Sequence, residues 1–197
     1  MPDLSHTGMT KAELRSVVLA RRRSLPPETL AEAAGRLAEA VDDLVRRATP
    51  RRLFGYVPVG TEPGGPELPA TLASALPPWG ELLLPVLLPD LDLDWARYDG
   101  RLAAAARGLR EPVGPRRGVP AVAAADLVVV PAVAVDRRGV RLGRGGGSYD
   151  RALARVPAGV PVVALLHDGE LVDRLPADAH DRRVTMVITP ADGVVPL

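Results

Sequence analysis

Cysteine is missing from the sequence altogether, which excludes disulfide staples, thiolate nucleophiles and thiolate zinc sites and agrees with a reducing compartment. Aromatic side chains are nearly as scarce. Three Tyr, two Trp and one Phe in 197 residues provide no run of rings on which bases could stack. Neither sign of charge dominates either, since 25 basic and 24 acidic residues leave a net charge of +1; no whole-molecule field draws in nucleic acid, and the Arg21-Arg22-Arg23, Arg51-Arg52 and Arg182-Arg183 clusters read as local features. No apolar run approaches membrane-spanning length, and Met1 to Met9 lacks the basic and apolar regions of a signal peptide. These absences predict a cytoplasmic protein with no nucleic-acid or membrane partner; the chain is also expected to be a monomer. Lysine is the last rarity: Lys11 is the only one among the 25 basic residues. An ammonium kept in an arginine-saturated chain marks either a place that needs a compact charge or chance.

What is present suits one globular domain with a core of its own, for the chain is 47% hydrophobic and long enough to bury most of its surface without staples. Residues 1–9 are expected to be flexible and 10–197 to form the domain. Thr10-Lys-Ala-Glu13 reads as a capping box opening a helix, with Leu14, Val17, Val18, Arg21, Arg22 and Leu25 at helical spacing. Pro26-Pro27 ends it and starts a second helix, whose apolar stripe runs from Leu30 to Val45. Beyond Pro50 the pattern changes. Leu53 to Val57, Leu82 to Leu88, Leu127 to Val135, Val160 to Leu166 and Val184 to Ile188 are near-continuous apolar runs, as in strands covered on both faces. Leu93 to Tyr98 alternates like an edge strand, and Glu67 to Leu76 and Tyr149 to Arg155 read as helices. The second of these joins two buried strands in a βαβ-like unit. The expected fold is α/β, a three-layer α/β/α sandwich around a mostly parallel or mixed central sheet.

Chemistry concentrates after the Leu127 run, in Arg141-Leu-Gly-Arg-Gly-Gly-Gly-Ser-Tyr-Asp150. Gly143, Gly145, Gly146 and Gly147 let backbone N–H groups converge with no side chain in the way, and the helix start that follows adds free amides: a cradle for phosphate. Arg141 and Arg144 supply positive charge, and Asp150 is placed to hold Mg²⁺ on the phosphates. A glycine-rich turn with a dipole-capping aspartate is the plainer alternative. Neither the P-loop nor the dinucleotide fingerprint fits this register. Lys11 and Arg15 share a helix face and form a possible polyphosphate grip, or a pair of solvated charges. Glu62 follows a buried strand, where loop residues commonly meet substrate, or is an ordinary solvated loop glutamate. His180-Asp181 offers a further carboxylate. His6 and His167 have no recognisable partner in sequence.

Taken together, Lys11-Ala-Glu-Leu-Arg15, Tyr56 to Glu62, Gly108-Leu-Arg-Glu-Pro112, Pro131 to Arg151 and Leu175-Pro-Ala-Asp-Ala-His-Asp181 resemble the 5-formyltetrahydrofolate cyclo-ligase family, also called methenyltetrahydrofolate synthetase. The resemblance implies conversion of 5-formyltetrahydrofolate to 5,10-methenyltetrahydrofolate with ATP and Mg²⁺ as cofactors. It assigns Lys11, Arg15 and Arg141, Leu142, Gly143, Arg144, Gly145, Gly146, Gly147, Ser148 and Tyr149 to ATP. The folate contacts are Val57, Glu62 and the stretch Arg144 to Ser148, and the magnesium ligands are Asp150 and Asp181. Lys11, Arg144 and Asp150 form the expected catalytic set. Ser148 stands where the family more often has Tyr, and Pro63-Gly-Gly-Pro66 replaces an aliphatic-Asp-Thr pattern. A phosphotransferase for another acceptor, or a non-catalytic nucleotide-binding protein, would use the same phosphate site. On this reading Asp150→Asn lowers activity and leaves stability nearly unchanged.

Overall fold

A computed structural model describes residues 9–177 and 182–197; the expected flexible segment lies, except for Met9, outside them. Thr10 caps helix α1 (Lys11–Arg23): the Glu13 amide donates to its hydroxyl at 3.3 Å, while the Glu13 carboxylate accepts from the Thr10 amide at 2.8 Å. The expected capping box is therefore made. Helix α2 (Pro27–Ala48) begins with proline at its first position, where a missing N–H costs nothing, and closes on Thr49 in the left-handed region. Among the described residues no helix is long and apolar enough to cross a membrane.

The remaining chain builds β1 (Arg52–Phe54), α3 (Leu68–Ala75), β2 (Glu81–Leu87), β3 (Leu93–Arg97), β4 (Leu102–Ala104), β5 (Arg110–Pro112), β6 (Leu127–Pro131), β7 (Ala134–Asp136), β8 (Arg141–Leu142), α4 (Ser148–Leu153), β9 (Val162–Leu165), β10 (Leu171–Val172), β11 (Met186–Thr189) and β12 (Gly193–Pro196). Seven strands form the central sheet in the order β12-β11-β9-β6-β1-β2-β3, with β3 and β12 antiparallel at its edges and the rest parallel. Because side chains alternate faces, the apolar runs serve two cores at once. Leu53, Leu82, Leu84, Leu127, Val129, Val163 and Leu165 pack with α2 and α3 through Leu37, Val41, Val45, Leu68 and Leu72. Their neighbours Phe54, Leu83, Val128, Val130, Val162 and Ala164 face the other way, toward α4 and the turn of 3-10 helix at Val119–Ala124. The result is the three-layer arrangement expected from the runs.

Two expectations change. Leu127 to Val135 reads as one strand, but the main-sheet strand stops at Pro131 and the chain turns into β7, which belongs to a separate three-stranded sheet with β8 and β10. An apolar run cannot distinguish the two sheets, because α1 covers the second as thoroughly as α2 covers the first: Leu14 and Val18 pack on Val133, Ala134, Val140, Leu142 and Val172. The Leu93 strand does lie at the edge, yet it is buried from Leu93 to Ala96. Trp95 meets Phe54 edge to face at 4.9 Å on one side, and the segment around Arg116 bridges Ala96 beyond the edge.

One buried ion pair locks α1 to this body. Arg22 forks onto Glu170 with contacts of 2.8 and 2.7 Å and reaches the Ala132 carbonyl at 2.7 Å; both side chains are 2% exposed. Removing either partner strands a charge in the interior. Arg22→Ala is expected to cost about 3–5 kcal/mol in denaturant unfolding, and Arg22→Met with Glu170→Leu to recover most of it.

Asp136 is a second buried charge. Burial works to raise its pKa, but the amides of Leu175, Val140 and Arg138 and the Arg138 guanidinium donate to it and hold it below the usual carboxylate range. A lowered carboxyl pKa contributes stability that is complete above the unfolded value, near 4, and is lost as pH falls through the folded value. Asp136→Asn is expected to cost about 1–3 kcal/mol at pH 7 and to flatten the fall in stability below about pH 4, read by unfolding at both pH values.

Candidate active site

The site follows from a mismatch in strand length. β1 has three residues, whereas its neighbours β2 and β6 have seven and five. Past Phe54 these neighbours run on without it and leave a notch at the carboxyl end of the sheet. It is also where the chain reverses direction across the sheet, since the strands after β1 lead one way to β2 and the other way from β6 to β9, the usual place for a ligand crevice. Pro85 and Pro131 line the notch. At these positions β1 no longer asks its neighbours for an N–H. A cavity of about 240 Å³ fills it.

Tyr56, Val57, Val59 and Glu62 enter the cavity from the chain leaving β1, and Leu87 and Leu93 from β2 and β3. The buried Tyr56 hydroxyl donates to the Pro63 carbonyl at 2.6 Å, so Pro63-Gly-Gly-Pro66 closes a turn back onto the notch. The Val59 amide donates to Glu62 at 2.9 Å. His167, without a partner in sequence, places Nε2 3.0 Å from the Thr61 carbonyl and steadies the same turn.

The opposite lining is the glycine loop, from Gly143 through Gly147, continuing into Ser148, Tyr149 and Asp150. Gly145 and Gly147 have φ of 101° and 70°, values that side-chain-bearing residues rarely adopt, and Gly147 caps α4. Arg141 and Asp150 stand at the foot of the loop, 2.6 Å apart. Arg141 also donates to the Pro131 carbonyl at 3.0 Å, and its guanidinium lies 5.9 Å from the centre of the Tyr149 ring. From α1, Arg15 Nε donates to the Gly143 carbonyl at 2.8 Å. Arg144 reaches across the cavity to Glu62 at 3.2 Å.

Two polar atoms of this lining are buried with no hydrogen-bond partner among the described residues, Arg141 Nε and the Tyr149 hydroxyl. Burial, reinforced by Glu62, pushes the tyrosine pKa up despite Arg141, so the hydroxyl stays protonated and able to donate. Orphaned donors beside converging amides suit an anionic ligand.

Known proteins resemble this chain in both sequence and fold. The model of the 5-formyltetrahydrofolate cyclo-ligase family matches residues 7–190, and the chain is 42% identical over 194 residues to the 5-formyltetrahydrofolate cyclo-ligase of Mycolicibacterium smegmatis, covering 95% of this chain and 97% of that relative. The chain belongs to the 5-formyltetrahydrofolate cyclo-ligase family. The Escherichia coli cyclo-ligase is 37% identical over 84 residues, 42% of this chain and 46% of its own. Among solved structures, the 5,10-methenyltetrahydrofolate synthetase of Aquifex aeolicus superposes with a TM-score of 0.74 at 31% identity, covering 96% of this chain and 93% of that one. The synthetase from Mycoplasma pneumoniae gives 0.70 over 91% and 98% of the two chains; at 17% identity it bears on the fold alone.

Of the cyclo-ligase residues expected from sequence, the cavity gathers Val57, Glu62, Arg141, Ser148, Tyr149, Asp150 and the loop from Gly143 to Gly147. Leu142 is packed instead in the α1 core. Arg15 touches the loop from behind, while Lys11 opens α1 on the same helix face. His180 and Asp181 lie outside the described residues. Sequence reasoning assigned no role to Tyr56, Leu87, Leu93, Leu109, Arg110 and Glu111, which also line the cavity. The Gly108-Leu-Arg-Glu-Pro112 run was the available signal for the last three. Among the described residues no three Asp, Glu or His side chains converge.

Pairing with Arg141, whose side chain is 3% exposed, gives Asp150 a structural part that sequence did not reveal. Asp150→Asn keeps an acceptor for Arg141 and is expected to lose activity with about 1 kcal/mol of stability, whereas Asp150→Ala leaves a buried guanidinium half-satisfied and costs about 2–4 kcal/mol. Thermal unfolding of the two variants checks the difference.

Proposed function

We propose that this protein closes 5-formyltetrahydrofolate to 5,10-methenyltetrahydrofolate, with ATP as phosphoryl donor and ADP and phosphate as the other products. The observation that carries the reading is one cavity lined both by the glycine loop and by apolar Val57, Leu87 and Leu93, with Glu62 and Arg144 meeting between them. The Aquifex aeolicus and Mycolicibacterium smegmatis relatives bear the names of this activity.

The chemistry asks for positioning more than for a protein nucleophile. A formyl oxygen on nitrogen leaves poorly; carrying the γ-phosphoryl group it leaves as phosphate. The formyl oxygen attacks phosphorus and ADP departs. N10 of the same folate then attacks the activated carbon, loses its proton, and expels phosphate as the ring closes. The loop amides, Arg144, and Lys11 and Arg15 from α1 would stabilise charge spread over the transferring oxygens. The apolar wall keeps water from the activated carbon. Glu62 accepts hydrogen bonds at the folate end, and the protonated Tyr149 hydroxyl donates one. Asp150 and Asp181 would hold Mg²⁺, which when bound would supply positive charge to offset that developing on the departing ADP. The absence of cysteine and the nearly neutral charge support a cytoplasmic setting and a small-molecule partner.

Purified protein given MgATP and 5-formyltetrahydrofolate is expected to develop the near-ultraviolet absorbance of the methenyl product with one ADP per folate. Folded protein that produces neither overturns the reading, and ADP release that requires another acceptor in place of folate establishes a phosphotransferase.

A further inference from the structure

The hairpin of β4 and β5 borders the cavity and carries positive charge that no other described residue engages. Its position is fixed: Ala104 pairs with Arg110 and Leu102 with Pro112, and Glu111 accepts the Leu87 amide at 2.9 Å, which ties β5 to the end of β2. The charge of Glu111 is thus committed to the hairpin's own anchorage. That of Arg110 is not. Arg110 lines the cavity and is exposed, and its guanidinium has no hydrogen-bond or ion-pair partner among the described residues. Elsewhere in the site the arginines are engaged: Arg141 by Asp150, Arg144 by Glu62, and Arg15 by the Gly143 carbonyl. Three residues before Arg110, at the hairpin tip, Arg107 is held in the left-handed region at φ 59°, ψ 25° and is likewise exposed and without a partner among the described residues.

Cations at the cavity rim that make no internal contact suit a ligand anion. Phosphate is not the best match, because the glycine loop and its own arginines already serve it. Within the folate reading, on which this inference rests, the other anionic part is the glutamate at the end of the molecule remote from the formyl group, with further carboxylates when the tail is extended by γ-glutamyl residues. We propose that the β4–β5 hairpin is the glutamate-tail site, with Arg110 binding a carboxylate of the first glutamate and Arg107 those of added γ-glutamyl residues. The site then distinguishes folates by tail length through charge on an element that bears none of the reacting groups.

The test is equilibrium binding, by calorimetry without ATP, of 5-formyltetrahydrofolate, its triglutamate and 5-formyltetrahydropteroate, which has no glutamate. Arg110→Ala is expected to weaken the monoglutamate about five- to tenfold, the scale of one charge-assisted contact near solvent, and to leave the pteroate unchanged. Arg107→Gln is expected to weaken the triglutamate alone. Raising salt from 50 to 300 mM narrows the gap between folate and pteroate in the parent and not in Arg110→Ala. Equal losses for folate and pteroate, or none for either, overturn the proposal. Parent protein that binds no folate overturns it together with the activity, whereas parent that binds the folates in the expected pattern without turning them over removes the activity and leaves the tail site standing.

Discussion

Much of the architecture converges on one carboxylate. Glu170 receives both arms of Arg22 and the amide of His167, while His167 meets the Thr61 carbonyl of the turn that carries Glu62. The Arg22–Glu170 pair therefore joins α1, the chain leaving β6 and the chain leaving β9, and through His167 the turn after β1. A buried ion pair is seldom a strong source of stability compared with apolar packing. What it supplies here is register: only one placement of α1 sets a guanidinium between Glu170 and the Ala132 carbonyl. That placement brings Arg15, two turns earlier, onto Gly143, and puts Lys11 one turn beyond it.

Within the cavity the charged groups occupy one another. Glu62 pairs with Arg144, both expected at the folate, and Asp150, expected at the metal, pairs with Arg141, expected at ATP. Such pairing keeps desolvated charges tolerable next to apolar walls. Arg144 is more than half exposed whereas Arg141 is almost wholly buried, so the first pair is the one that yields readily to a ligand and the second belongs to the frame.

Elements were legible where physics is local. The capping box at Thr10, the Pro26-Pro27 break and the double-faced runs at Leu82 and Val162 each depend on near neighbours, and each is built as its pattern indicates. The glycine loop was legible because its composition serves little else. Three matters were not. The division of Leu127 to Val135 between two sheets depends on what covers each half, and both halves are equally apolar. The engagement of Asp150 by Arg141 arises from a reversal of chain between β8 and α4 that spacing alone does not specify. The burial of Arg22 was hidden because an arginine at helical spacing, amid Arg21 and Arg23, looks like a solvated charge until Glu170, 148 positions away, is placed beside it.

The glycine loop is held at both feet, by Arg15 on the Gly143 carbonyl and by the tie of Arg141 to Pro131 and Asp150. Glycine-rich segments ordinarily lose much conformational freedom when a ligand orders them. Here the chain on either side is already tied down by these contacts, and only the few residues between the feet remain to be ordered. Under the proposed function, anion capture by this loop would carry a small entropic penalty, and most of the attraction between its amides and a phosphate would be expressed as affinity.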